Sequence, residues 1–292
     1  MSPPAPPAAW VALSLVEHLG GRRLRALLDA FGEAAAVLTA DEPSLQAVPG
    51  IGPKLAAAIR ALDLHETERC IERWQQFGVI LLDRLSEAYP ARLHALADDA
   101  PPVLFVRGDL AALRAERSVA LVGTRQPSPS AREAAYRIGM ELALEGTVVV
   151  SGLAAGIDAA AHQGALSGQG RALAVLGSGV LQIFPPDHDA LAALILRQHG
   201  AIVSEVSPDA RASTPRLVAR NRLISGLSDA VLIAETSIDG GAMYAARGAL
   251  AQRRRLCALD LPASGNQALI AEGAVAIPTD APAAVLWESR QA

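Results

Sequence analysis

Val119-Ala-Leu-Val-Gly123-Thr-Arg125 and Thr147-Val-Val-Val-Ser-Gly152-Leu-Ala-Ala-Gly156-Ile-Asp158 decide the fold. Each is a brief apolar run that breaks into glycine, and a helical segment lies between them. Such a run of Val, Leu and Ala, with glycine at its carboxyl end, reads as a buried parallel strand turning tightly into a helix. A turn of this kind leaves main-chain N–H groups free at the strand edge, where they favour an anion such as phosphate.

The same pattern extends in both directions. Upstream, Val79-Ile-Leu-Leu82 and the extended run after Pro101-Pro102 precede it; downstream, Ala172–Leu176 runs into Gly177-Ser178-Gly179. Ala201–Ser204 ends at Glu205, Ala230–Ala234 ends at Glu235, and two last strands are expected near Leu256–Leu259 and Ala274–Ile277. Strands alternating with helices predict an α/β fold, a parallel sheet with helices on both faces, over residues 76–285. Ser130 followed by Glu133 reads as a capping box that opens a helix reaching about Leu144. Three glycine turns at carboxyl strand ends predict a binding crevice on one edge of the sheet.

Residues 1–75 read differently. After a Pro/Ala tail at residues 2–8, the pattern is helical, broken at Gly20-Gly21, Gly32 and Asp41-Glu-Pro43, with a further helix from about Glu66 to Phe77. Leu45-Gln-Ala-Val-Pro-Gly50-Ile-Gly52-Pro-Lys54 followed by Leu-Ala-Ala-Ala-Ile59 looks like a helix-hairpin-helix, so a small all-helical domain carrying that motif is expected. Gly50, Gly52 and Lys54 are secondary candidates for contact with duplex DNA; the competing reading is a hairpin that packs the domain or binds protein. Residues 286–292 read as a tail.

Composition narrows the function. With 292 residues and 51% hydrophobic residues the chain can bury a large core, but only 3% are aromatic, so Ala, Leu and Val must fill it. A net charge of -4 argues against a uniformly basic surface, though not against a local basic groove. Lys54 is the only lysine, so the positive charge is arginine, which suits bidentate phosphate contacts. Cys70 and Cys257 form no CxxC and no zinc pattern, and no signal peptide or membrane-length apolar run is present; a cytoplasmic protein without a membrane partner is expected. Walker A, the GxGxxG fingerprint with its acid and GxSxG are all missing, so no cofactor and no metal are expected.

Gly123-Thr124-Arg125, Gly152 and Gly177-Ser178-Gly179 therefore point to a phosphate-bearing ligand held without catalysis. Arg211, Arg216, Arg220, Asn221 and Arg222 form the basic concentration of the chain and could track the phosphates of a single strand. Glu205, Glu235 and Asp239 read as helix caps or arginine partners, the alternative being an acidic pair for catalysis; Arg253-Arg254-Arg255 reads as a helix end, the alternative being a DNA contact, and His162 as a packed or capping residue.

In order along the chain, Tyr89-Pro90, Val119–Arg125, Ser151–Asp158, His162, Ala165-Leu166, Ser204-Glu205, Arg220-Asn-Arg222, Ile224–Ser228 and Gly265-Asn266 resemble the DNA-processing protein A (DprA/Smf) family. The resemblance covers about Val79 to Ile277. It implies an extended Rossmann-like domain behind a small all-helical domain of sterile-alpha-motif type, the former dimerising and binding single-stranded DNA during natural transformation, protecting it and loading the RecA recombinase. By position, Arg125, the Gly177-Ser178-Gly179 turn, Arg220 and Arg222 would line the DNA pocket, with Gly123, Thr124, Gly152, Arg216 and Asn221 beside them. The chain departs from the family at Asp239-Gly-Gly-Ala242, which lacks two hydroxyls, and at Leu217, where phenylalanine is common. The winged-helix domain of many relatives is absent from these residues. The competing reading is an enzyme, a nucleotide hydrolase resembling the LOG phosphoribohydrolases. Their PGGxGTxxE signature would fall at Thr236–Ala246, where only the paired glycines remain.

Overall fold

The computed structural model describes residues 7–287, so most of the expected tail at 2–8 and the end of the tail at 286–292 lie outside the described residues. Six helices come first: α1 (Ala8–Ser14), α2 (Gly20–Phe31), α3 (Ala34–Thr39), α4 (Glu42–Gln46), α5 (Pro53–Arg60) and α6 (Leu64–Gln76). Asp41 caps α4 by accepting from the Ser44 N–H, and Asp63 caps α6 by accepting from those of His65 and Glu66. Leu13, Leu24, Leu27, Val37, Leu45, Ile51 and Ile59 close a small core of their own. Between α4 and α5 the hairpin turns at Gly50, whose φ of 84° is open to glycine at little cost.

α6 and part of α1 pack against the second unit. Val11, Ile71 and Trp74 join its core, and the Trp74 ring meets Phe105 edge-on at 5.6 Å. The Trp74 indole N–H donates to Asp209, which also pairs with Arg73, and the Trp10 indole N–H donates to the Pro102 carbonyl.

The α/β unit contains β1 (Val79–Asp83), β2 (Val103–Gly108), β3 (Ser118–Val122), α7 (Pro129–Leu144), β4 (Val148–Ser151), α8 (Ile157–Ser167), β5 (Ala172–Val175), α9 (Asp189–Arg197) and β6 (Ala201–Ser204). It continues through α10 (Thr214–Ala219), α11 (Asn221–Gly226), β7 (Ala230–Ile233), α12 (Ala242–Ala251), β8 (Arg255–Leu259), α13 (Ser264–Ala271) and β9 (Val275–Ile277). The 9-stranded sheet has the order β1-β2-β6-β5-β4-β3-β7-β8-β9. From β6 to β9 every pairing is parallel. β1 and β2, by contrast, pair antiparallel with each other, and β2 with β6; no crossover helix joins β1 to β2, so they extend the edge of the parallel sheet.

Alternate strand residues face opposite ways. Val119 and Leu121 enter the core under α7 and α8, and Ala120 and Val122 the core under α11 and α12. Small residues replace aromatic bulk where α7 crosses α8: a Cβ on Gly139 or Gly164 would overlap backbone of the facing helix. α7 also begins earlier than the Ser130-Glu133 pattern predicts. Its cap is Ser128, which accepts from the Ala131 N–H at 3.3 Å, because Pro129 is suited to the first helical position.

The chain runs from β3 outward to β6 and then returns to place β7 on the other side of β3. The carboxyl ends of β3 and β7 are therefore the topological switch point of the sheet, where a crevice is expected in such folds.

Candidate nucleic-acid interface

A cleft of about 620 Å³ opens at that switch point. Gly123, Thr124 and Arg125 after β3 form one wall, and Thr236, Ser237, Gly240 and Gly241 after β7 form another. Ala212–Thr214, Leu217, Val218, Arg220 and Asn221 close the third side. The two strand-end loops are fastened together: the Thr124 N–H donates to the Glu235 carbonyl at 2.7 Å, and the Glu235 carboxylate accepts from the Ser128 N–H at 2.6 Å. Asn266 accepts from the Thr236 N–H at 2.8 Å and donates to the Ala234 and Leu259 carbonyls, fixing the start of the β7 loop. Glu235 thus acts as a cap, as its place at a strand end predicts, and is not a free acid.

Arg125 is exposed and lines both the cleft and an adjoining slot of about 110 Å³. The slot is walled by Gly152, Ala154, Ala155, Phe184, Pro185, Leu217 and Arg220. Phe184, 39% exposed, stands at the junction of the two, a site residue that no motif of the sequence marks. Opposite lie Gly241 and Ala242 at the start of α12; the Met243 and Tyr244 N–H groups donate to the Gly240 and Gly241 carbonyls at 3.1 and 3.3 Å, which leaves the N–H groups of Gly241 and Ala242 for an anion at the end the dipole favours.

Arg220 is organised differently from an exposed phosphate ligand. Only 6% exposed, it donates through Nη1 to the Gly152 and Val175 carbonyls, both at 2.6 Å, and lies 4.0 Å from Asp158. It clamps the ends of β4 and β5 to the α10–α11 turn. Gly152 is required here because a Cβ would occupy the place of the guanidinium. Asp158 in turn accepts from the Gly152 N–H at 3.0 Å and the Ala154 N–H at 3.4 Å. Burial pushes its carboxyl up, against the opposing pull of Arg220 and these N–H groups.

Several expected contacts fall elsewhere. Gly177-Ser178-Gly179 is buried and lines no part of the cleft; β5 lies two strands from β3, and its turn is roofed by the segment after β6. The Gly179 N–H donates to the Ala210 carbonyl at 2.8 Å, and a Cβ on Gly177 would meet the Leu217 backbone at 2.8 Å. Arg222 turns away into a groove against the helical domain and makes a two-pronged pair with Glu205 at 2.7 and 2.6 Å. Arg216 lines the same groove and donates to the Arg211 carbonyl at 2.9 Å. Asn221 remains at the cleft, its amide donating to the Gly241 carbonyl at 3.3 Å. Gly50, Gly52 and the exposed Lys54 sit on the helical domain and line neither cleft nor slot. The glycine-loop amides of Thr124, Gly152 and Gly179 are likewise engaged within the protein, whereas the Arg125 guanidinium and the N–H groups of Gly241 and Ala242 are open to the cleft.

Residues 81–286 match the model of the family described as DNA recombination-mediator protein A. The chain belongs to this family. Residues 12–62 separately match the SAM-like helix-hairpin-helix tandem. The chain is 41% identical over 197 residues to protein Smf of Escherichia coli K12, covering 66% of this chain and 52% of that protein, or about half its length. Against the DNA processing protein DprA of Bacillus subtilis 168 it is 31% identical over 242 residues, covering 80% and 81%. The crystal structure of DprA from Streptococcus pneumoniae superposes with a TM-score of 0.80 over 99% of both chains at 24% identity, which shows the shared fold. A structure of Helicobacter pylori DprA, described for its single-stranded DNA binding mode, gives 0.60 over 68% of this chain and 90% of that one at 29% identity.

Proposed function

We propose that the switch-point cleft binds single-stranded DNA and that the protein works by binding, not by catalysis. The observation that carries this is the cleft itself: an exposed arginine and an open helix start face each other across it, and an aromatic ring stands at its junction with the slot. A phosphate can bridge Arg125 and the first turn of α12, while a base lies against Phe184 and Leu217. Contacts of this kind read backbone and ring faces, so little sequence preference is expected. The carboxylate in the cleft wall, Asp158, is buried under Arg220 and occupied by main-chain donors, which leaves it poorly placed as a general acid or base. Membership of the family, and the single-stranded DNA binding described for the Helicobacter pylori relative, support the same reading. By the same analogy we assign it to DNA recombination in natural transformation, as a cytoplasmic homodimer that protects the incoming strand and loads RecA.

Arg125→Ala is expected to weaken binding to an oligothymidylate by about 10- to 100-fold, the worth of a charge-assisted contact of ~1.5–3 kcal/mol. A fluorescence-anisotropy titration across salt measures it, and the slope of affinity against salt should also fall by about 0.7 for the lost phosphate. Unchanged affinity at low salt would remove the cleft from consideration. Phe184→Ala is expected to cost ~1–3 kcal/mol of binding without altering that slope, since a stacked base releases no counterion, whereas Phe184→Tyr should retain affinity.

The paired glycines Gly240-Gly241 at the start of α12 also fit a LOG-like nucleotide hydrolase. Release of base from a nucleoside monophosphate, lost in Glu235→Gln, is the result that would favour that enzyme.

A further inference from the structure

On the far side of the Thr124–Ser128 loop a shallow groove of about 460 Å³ runs between α7 and α8. Arg132, Glu133 and Tyr136 line it from α7 and Gln163 from α8, with Pro127 and Pro129 at the end nearest the cleft. Pro127 is two residues beyond Arg125, so the two lie at most about 7 Å apart along the chain. α7 and α8 approach closely at Gly139, Gly164 and Gly168, and Ala160 is the small side chain that lines the groove between them. Tyr136 is 38% exposed, and its hydroxyl contacts that of Ser167 at 2.8 Å, which holds the ring along the helix pair. Arg132 and Gln163 are exposed and their side chains have no hydrogen-bond or ion-pair partner among the described residues.

We propose that a single strand seated in the cleft continues over the Pro127 shoulder into this groove, with a phosphate on Arg132, a base on the Tyr136 ring and a base edge on the Gln163 amide. This rests on the cleft being a strand-binding site. A cation, a flat ring and an amide, all unengaged on their outer sides, are the groups that take up phosphate, base face and base edge, and they begin where the cleft loop ends. Pro127, Pro129 and Ala160 line the groove beside the Tyr136 ring, so it is the unpaired Arg132 cation and Gln163 amide, and not a want of apolar surface, that favour a strand over a partner protein. Glu133, in the same groove, opposes a polyanion and limits how tightly this stretch is held.

The test compares two oligothymidylates on the full chain, one of ~4 nucleotides that fills the cleft alone and one of ~16 that reaches α7. The double variant Arg132→Ala/Tyr136→Ala should bind the long oligomer about tenfold more weakly and the short one as the wild type does. Glu133→Gln should tighten the long oligomer at low salt, and Tyr136→Phe should bind it normally. The proposal is overturned if the double variant binds the long oligomer unchanged, or loses both lengths equally. It is also overturned if Tyr136→Phe loses as much as Tyr136→Ala, because the contact with Ser167 would then carry the effect. Arg125→Ala separates the two readings. Loss at both lengths beside a silent α7 variant leaves the cleft standing and removes the extension; no loss at either length removes both.

Discussion

Arg220→Ala is expected to destabilise the protein by about 3–5 kcal/mol, the cost of leaving a buried ion unpaired, while Arg125→Ala at the same cleft leaves stability near wild type. Arg220 donates to carbonyls from two strands and faces Asp158, so its loss strands two acceptors and a carboxylate with almost no access to water. Urea unfolding followed by circular dichroism reads the difference. Because burial pushes the Asp158 carboxyl up, the variant should take a proton there more readily, and its deficit against wild type should shrink as pH is lowered. The double change Arg220→Met/Asp158→Asn removes both buried charges and should recover much of the loss. Arg220→Ala unfolding within ~1 kcal/mol of wild type would show that the clamp is not what joins β4 and β5 to α10. DNA binding by Arg220→Ala should also fall, but through the shape of the cleft, which separates its role from that of Arg125.

The fold was legible in the sequence because its strands are short, apolar and punctuated by glycine. Those signals depend on local chain geometry, and Val119–Val122, Val148–Ser151 and Ala230–Ile233 appear where the pattern puts them. Which strands become neighbours is a long-range matter. The sequence shows glycine after β3, β4 and β5 alike, but the order β5-β4-β3-β7 gives the crevice to β3 and β7 and roofs the β5 turn. The direction of β1 and β2 was hidden for the same reason: strand composition does not record which neighbour is antiparallel.

Arginine positions were legible and arginine roles were not. Arg125, Arg220 and Arg222 all lie at carboxyl ends of the sheet, but burial and partners divide them into an exposed donor, an internal clamp and half of a pair with Glu205. A guanidinium beside a sheet edge can do any of these, and only the position of Asp158, Gly152 and Glu205 decides among them. Phe184 belongs to no motif, since one aromatic ahead of two prolines fits an ordinary turn. Its signal was the scarcity of aromatics: with 3% of residues aromatic, a large ring left on the surface is an uneconomical use of one unless it contacts something.

Stability at acid pH is expected to carry the signature of His162. The ring is fully buried on α8, neither nitrogen has a hydrogen-bond partner, and burial, with His188 and Arg220 nearby, lowers its pKa from 6.5 to about 3. Asp158 lies one turn earlier on α8, and His188 is held through Nδ1 at 2.8 Å from the Leu153 carbonyl. A folded-state pKa below the unfolded value means that the unfolded chain takes up the proton first as pH falls. The neutral ring therefore costs nothing above about pH 6.5, and stability drains away between there and about pH 3, by as much as ~4–5 kcal/mol at the acid end. His162→Leu removes the titrating group together with two unsatisfied nitrogens, so it should match or exceed wild-type stability at neutral pH and lose less of it on acidification. Urea midpoints for both proteins at a series of pH values between neutrality and the onset of acid unfolding give the comparison. Parallel curves would mean that His162 takes up its proton alike in the folded and unfolded chains, with water reaching the ring in the folded one; a gap that widens steadily below pH 6.5 is the expected result.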